Sequence, residues 1–283
     1  MKSFSQRKGI KPVKSVIQVD SMDNDLENGL WNALSIYYWD RVITNSIGKY
    51  VKSDSEGFFR QLWLDYFKKP LDTLSSYWSP TRAEIRKYFF NCEWYEAYDF
   101  IEFVVKNYPD EPANRKFKDY CNSILKNELS AYRFVGEEIA QITSEEEIAE
   151  IQEALEESSR PVNIHLRTAL NLLADRKSPD YRNSIKESIS AVEAICKLIT
   201  GNVKATLADA LKEIEKEKKV ELHSALKKAF DSLYGYTSDA EGIRHALLSE
   251  SNLDFEDAKF MLVSCSAFVN YLITKSSKAG IKV

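Results

Sequence analysis

Glycine and proline are scarce, nine and seven in 283 residues. That argues against a fold of many tight turns and for long uninterrupted helices, so an all-β architecture is excluded at the outset. The four cysteines, Cys92, Cys121, Cys196 and Cys265, are widely spaced and form no CxxC pair. They suggest neither a zinc site nor a disulfide framework, and read as buried thiols of a reducing compartment. No run of about 18 apolar residues occurs, and the opening MKSFSQRKGIKPVKSVIQVD has no apolar stretch of leader-peptide length. The expectation is a cytoplasmic protein with no membrane contact. Nor does one charge sign dominate: 39 basic against 43 acidic residues leave a net charge of -4. A general duplex-binding surface would need a basic excess, so any nucleic-acid contact has to be local.

What the chain does have is aromatic residues, crowded between Met22 and Tyr120: Trp31, Tyr37, Tyr38, Trp39, Phe58, Phe59, Trp63, Tyr66, Phe67, Tyr77, Trp78 and the string YFFNCEWYEAYDFIEF. Leu30, Leu34, Tyr37 and Tyr38 follow helical spacing, as do Phe59, Leu62, Trp63 and Tyr66, which predicts core faces of packed helices. The alternative is a base-stacking or ligand pocket. From Ala131 to Ile142 the run AYRFVGEEIAQI places Tyr132 and Phe134 before Gly136-Glu137 and Ile139 and Ile142 after it, which predicts a β-hairpin turning at the glycine. Ser144 followed by Glu147 then opens an acidic amphipathic helix over about 144–158, with Ile148, Ile151 and Leu155 on one face. Arg160-Pro161 closes it, so the reading is an N-terminal module over 1–160 and a second domain over 161–283.

The second domain reads as consecutive amphipathic helices joined by short loops, the pattern of a bundle. The first, about Pro161 to Asp175, carries Ile164, Leu166, Leu170 and Leu173. The second is expected to start with Ser178 as cap and Pro179 in the first turn, to bury Ile185, Ile189, Val192, Cys196 and Ile199, and to stop at Gly201. A third opens at Thr206 and buries Leu207, Leu211 and Ile214. A fourth packs Leu222, Leu226, Phe230 and Leu233 and gives way to a turn at Gly235, Ser238 and Asp239. A short segment EGIRHALLSE follows, then a last helix capped by Asp254 that packs Met261, Leu262, Cys265, Phe268, Val269 and Leu272.

Only three histidines exist. His165 and His223 sit at helix starts with no acidic or nucleophilic neighbour in sequence, and read as surface or cap residues. His245 follows Arg244, with Asp239 and Glu241 one or two helical turns before it. A histidine can carry the 2'-hydroxyl proton of RNA, and a guanidinium can stabilise the charged phosphorane. Neighbouring helical residues diverge by about 100°, so the pair meets one phosphate only at a helix end or across an interface. The plainer alternative has Arg244 on a nearby carboxylate and His245 packed between helices.

The strings SPDYRNSIKESISAVEAICKLITG, TLADALKEI, LHSALKKAFDSLYGYTSDAEGIRHALL and DFEDAKFMLVSCSAFVNYLI resemble the C-terminal HEPN domain of AbiJ-type abortive-infection proteins. The stretch FSQRKGIKPVKSVIQVDSMDNDLENGLWNAL is similar to an N-terminal domain attached to such HEPN domains. The resemblance implies a mainly α protein: a helical sensing or regulatory module with a short β-hairpin, followed by a HEPN-like helical bundle. It implies a homodimer whose shared cleft cuts RNA without a metal or other cofactor, in anti-phage defence, with a phage-derived trigger or an antitoxin as a further partner. Arg244 and His245 transfer as the catalytic pair, although in the better-known HEPN ribonucleases several residues separate the two. Glu187 and Glu193 on the second bundle helix, and Asp239, are the supporting polar candidates. Their spacing of six sets Glu187 and Glu193 roughly 240° apart around the helix, so they do not share a face. Glu193 lies among buried positions and would need a partner, for which Arg244 is the expectation.

Two other functions stay open at this level. A HEPN fold without cleavage would bind RNA, a nucleotide or a protein, and a structural adaptor would present the N-terminal aromatics on its surface.

Overall fold

The computed structural model describes residues 4, 8, 17–49, 54–175, 178–217, 219–239 and 253–283. These are mainly helical, with one two-stranded antiparallel hairpin. The chain divides into two compact units, Met1–Gln141 and Ile142–Val283.

In the first unit, α1 (Asn24–Tyr37) begins where the Asp23 carboxylate accepts from the Leu26 N–H at 3.0 Å, and buries Leu26, Leu30 and Leu34 at a helical repeat. α2 (Asp54–Gln61) runs into a π-helical turn at Leu62–Tyr66. α3 (Trp78–Phe89), α4 (Trp94–Asn107) and α5 (Glu111–Asn127) follow, α4 opened by a capping box of Glu93 and Glu96 and α5 by the Asp110 carboxylate. The aromatic residues are the core: Tyr38, Trp39, Phe59, Trp63, Phe89, Phe100 and Phe117 are all essentially inaccessible. Rings meet at tilted or edge-on angles, as between Tyr38 and Phe117 at 4.9 Å, and each such pair adds about 1 kcal/mol to the burial term. These rings face inward, whereas Tyr77, Tyr95 and Tyr120 of the same region are exposed.

The hairpin forms as expected, β1 (Arg133–Val135) on β2 (Glu138–Ala140) with Phe134 opposite Ile139. Gly136, at φ 60°, takes the first central position of the two-residue turn, where a side chain would strain the backbone. A two-stranded hairpin leaves both edges unpaired, and here helix side chains fill them. The Asn122 amide of α5 donates to the Phe134 carbonyl at 3.0 Å and accepts from the Phe134 N–H at 2.8 Å. On the other edge the Glu102 carboxylate of α4 accepts from the Ile139 N–H. Near the start of the described chain, Gln18 pairs with the segment between α5 and β1: its N–H donates to the Leu129 carbonyl and its carbonyl accepts from the Ala131 N–H.

In the second unit, α6 (Glu145–Glu157) is capped by Ser144, whose hydroxyl accepts from the Glu147 N–H. Its face of Ile148, Ile151 and Leu155 is buried within this unit, against α11 (Phe255–Lys278) and α7 (Arg160–Ala174). Asn270 of α11 donates to the Glu150 carbonyl at 2.9 Å. The acidic helix thus packs with the helices that follow it, because a helix belongs where its apolar face is covered. α8 (Tyr181–Thr200) is the central helix, packed against both α7 and α11 and burying Ile185, Ile189, Val192, Cys196 and Ile199. It ends at Gly201, left-handed at φ 76°. Its start corrects the sequence reading: Asp180, not Ser178, is the cap, its carboxylate accepting from Asn183 at 2.9 Å, while the Ser178 N–H is taken by Asp175. Ile164 is also corrected, being half exposed on α7 rather than inward. α9 (Leu207–Glu217) follows the Thr206 cap. α10 (Ser224–Asp239) continues unbroken through Gly235, Ser238 and Asp239, where a turn was expected. Phe230 of α10 stacks on Phe268 of α11, and Asp254 and Asp257 form the capping box of α11. Among the described residues no helix is long and apolar enough to cross a membrane.

Candidate active site

Twenty residues make α8 roughly 30 Å long, enough to carry separate polar groups along one rod. Glu187 and Glu193 are its two glutamates, and each has a partner on a different side. Glu193 binds the Lys197 ammonium one turn on, at 2.6 Å, an i,i+4 pair that is largely covered. Glu187 faces α7, where the His165 Nδ1 donates to its Oε2 at 2.7 Å. The 240° separation expected from their spacing is realised as two independent polar contacts.

His165 is the residue that sequence reasoning missed. It has no acidic neighbour along the chain, and acquires one only because α7 and α8 pack antiparallel. The register is set by Ser184, whose hydroxyl donates to the Ala169 carbonyl at 2.8 Å. Four residues back on α7 and three forward on α8 bring His165 and Glu187 together. The signal was the small Ser184 and Ser188, both fully buried, which let the two helices approach closely. With Nδ1 committed to a carboxylate, the imidazole is oriented and its Nε2 is the atom left for other contacts, the arrangement of a histidine that binds or transfers a proton. The histidine is 35% and the glutamate 22% exposed.

Of the other sequence candidates, Asp239 is the last residue of α10. Arg244 and His245 lie outside the described residues, and so does the expected Arg244–Glu193 pair. The segment that holds them is bracketed by Asp239 and by the Asp254 cap of α11. The start of α11 stands beside the start of α8, since the Tyr181 and Phe255 rings meet edge-on at 6.3 Å. Burial and the charges of Glu256 and Asp254 raise the Tyr181 phenol above its ordinary pKa. Among the described residues no three His, Cys, Asp or Glu side chains gather closely enough to hold a metal ion.

Compared with known proteins, residues 2–157 match the family model described as AbiJ N-terminal domain 4, which is more than half of the chain. No curated protein and no solved structure matches it.

Proposed function

This chain belongs to the AbiJ N-terminal domain 4 family, and on that premise we propose that its second unit is a HEPN-type effector that cuts RNA in defence against phage infection. The family is one of abortive-infection-associated proteins. The observation that supports the reading is that the chain continues past the matched residues 2–157 as the helices of a second compact unit, of which α10 and α11 bracket the Arg244-His245 segment in sequence. In this reading His245 takes the proton of the RNA 2'-hydroxyl as that oxygen attacks the adjacent phosphorus, and Arg244 stabilises the charge on the phosphorane. The 5'-oxygen leaves and takes up a proton returned by the imidazolium, giving a cyclic phosphate and a 5'-hydroxyl. No metal takes part. Adjacent arginine and histidine diverge on a helix, so a homodimer cleft that supplies each residue from a different copy answers the geometry. The protein works in the cytoplasm, and the N-terminal module restrains or triggers the effector in response to a phage-derived partner or an antitoxin.

The direct spacing of Arg244 and His245 also favours a second reading, a HEPN bundle that binds RNA, a nucleotide or a protein without cutting. One experiment separates them. Purified protein is incubated with total cellular RNA and tRNA in EDTA, beside Arg244→Ala and His245→Ala, and fragment ends are identified. Cyclic-phosphate ends that vanish in both variants establish the nuclease. RNA left intact but retained by the protein establishes the binding module.

A further inference from the structure

On the nuclease reading, one imidazole takes a proton from the 2'-oxygen and returns it to the 5'-oxygen. During displacement those two oxygens stand in line on opposite sides of the phosphorus. A ring held at the side of attack does not face the leaving group, so the reaction is served better by two proton carriers than by one. The chain has three histidines, and two of them, His165 and His223, lie among the described residues.

His223 is engaged in local structure. Its Nδ1 accepts the Ala225 N–H at 3.2 Å where α10 begins, and the residue is exposed. His165 is held from a second helix instead, its Nδ1 donating to the Glu187 carboxylate across the seam between α7 and α8. That seam is tightly built. Leu166 and Leu170 of α7 and Ile185 and Ile189 of α8 are essentially inaccessible, and the buried Ser184 hydroxyl donates to the Ala169 carbonyl. A ring fixed on packed helices keeps its position better than one on a loop. In an imidazolium both nitrogens carry protons. The proton on Nδ1 stays with Glu187, so the one that can be transferred is on Nε2, at the far side of a partly exposed ring.

The placement along the bundle agrees with a role in the same reaction. Glu187 lies six residues, about 9 Å, along α8 from Tyr181. The Tyr181 ring meets that of Phe255, the first residue of α11. The stretch that leads into α11 in sequence is the one carrying Arg244 and His245. His165 therefore stands on the half of α8 beside which that stretch rejoins the described helices.

We propose that His165, oriented by Glu187, is the proton donor to the leaving 5'-oxygen in the RNA cleavage ascribed to this unit. The inference rests on the nuclease reading and divides its proton transfers between two rings. As the bond from phosphorus to the 5'-oxygen breaks, its electron pair goes to that oxygen, which takes the Nε2 proton of His165. The imidazole is left neutral, with its Nδ1 proton still on Glu187, and regains the other from water, to which the pair is open. His245 takes the 2'-hydroxyl proton and loses it to water. Each turnover thus takes up one proton and gives up one.

The test changes the leaving atom. Oligoribonucleotides are made to the sequence around a bond that the parent protein cuts in total cellular RNA, with either oxygen or a bridging 5'-sulfur at that bond. Thiols are far more acidic than alcohols, so a thiolate leaves without a proton donor. His165→Gln is expected to cut the oxygen substrate about a hundredfold more slowly than the parent and to cut the sulfur substrate at the parent rate. Recovery on sulfur also shows that the variant is folded. His245→Ala stays slow on both, because the attacking oxygen is the same in each, and His223→Gln matches the parent on both. Cleavage of the oxygen substrate by His165→Gln at the parent rate overturns the assignment and leaves the nuclease reading standing. So does an equal loss on both substrates, which makes the histidine structural, or restoration of His245→Ala by sulfur, which makes His245 the donor. Total RNA left uncut by the parent removes the nuclease reading and this inference with it.

Discussion

Glu187 of α8 holds His165 of α7 at 2.7 Å, and the two belong to helices whose small buried serines allow that approach. Both side chains are partly exposed, so water screens the pair and its contribution to stability is about 0.2–1 kcal/mol. A double-mutant cycle with His165→Gln and Glu187→Gln, read by urea unfolding, is expected to give a coupling energy within that range. A larger coupling would mean that the pair is part of a wider buried network. Because the fold survives these changes, the same variants are suitable for an RNA-cleavage assay in which loss of activity is not loss of structure.

The hairpin edge held by Glu102 makes stability depend on pH. Burial, and next the charge of Glu138, push the Glu102 carboxyl up to about 7, against the opposing pull of the Ile139 N–H and Lys106. Below the ordinary carboxyl value of 4.5 both folded and unfolded chains hold this proton. Between there and about 7 only the folded chain holds it, so unfolding free energy falls as pH rises through that window, by on the order of 2 kcal/mol. Glu102→Gln keeps an oxygen for the Ile139 N–H and removes the titration. Urea unfolding from about pH 5 to pH 8 is expected to show the decline in the parent protein and a flatter profile in the variant.

Two helical glycines should respond in opposite directions. A Cβ on Gly29 of α1 would stand 2.7 Å from the Ile124 Cγ2 of α5, and a β-branched side chain has little freedom to swing away. Gly29→Ala is expected to destabilise by about 1–3 kcal/mol, since overpacking outweighs the gain in helix propensity. Gly57 of α2 is exposed with nothing near its missing Cβ, and Gly57→Ala should stabilise by about 0.5–1 kcal/mol. Thermal midpoints of the two variants check the signs.

The cysteines should be inert until the protein unfolds. Cys121, Cys196 and Cys265 are buried, and burial raises all three thiols. For the half-buried Cys92 the rise from 9.0 to about 12 lowers the thiolate fraction about a thousandfold. Iodoacetamide at neutral pH is expected to leave the folded protein unlabelled and to modify all four cysteines in urea.

Local chemistry was readable from the sequence. Ser144, Thr206, Asp254, Gly136 and Gly201 do what their residue types do at caps and turns, and the apolar repeats of α1, α8 and α11 face inward. Competition between neighbours was harder: Ser178-Pro179 is a good helix start, but Asp180 places a stronger acceptor over the first turn. The Gly235 to Asp239 stretch has turn residues and is nevertheless helical, because Phe230 before it and Thr237 within it are held by packing. What was not legible was pairing between elements. Glu187 stood out as a polar residue on a mostly buried helix, yet nothing local identified His165 as its partner, unlike Lys197, which lies one turn from Glu193 on the same helix. Glu102 and Asn122 seal the hairpin from positions 37 and 12 residues away from the groups they bind. Arg244 and His245, the catalytic pair of the sequence reading, lie outside the described residues.

The bond from Gln18 to Leu129 and Ala131 has a consequence for biosynthesis. A growing chain cannot close the first unit by its early helices alone, because the strand-like partner of residue 18 is made more than a hundred residues later. Once that partner has been made, the whole of the second unit, from Ile142 onward, still remains to be translated. At ordinary synthesis rates this leaves an interval of about ten seconds. For that time the first unit can be complete while the segment bearing Arg244 and His245 has yet to exist.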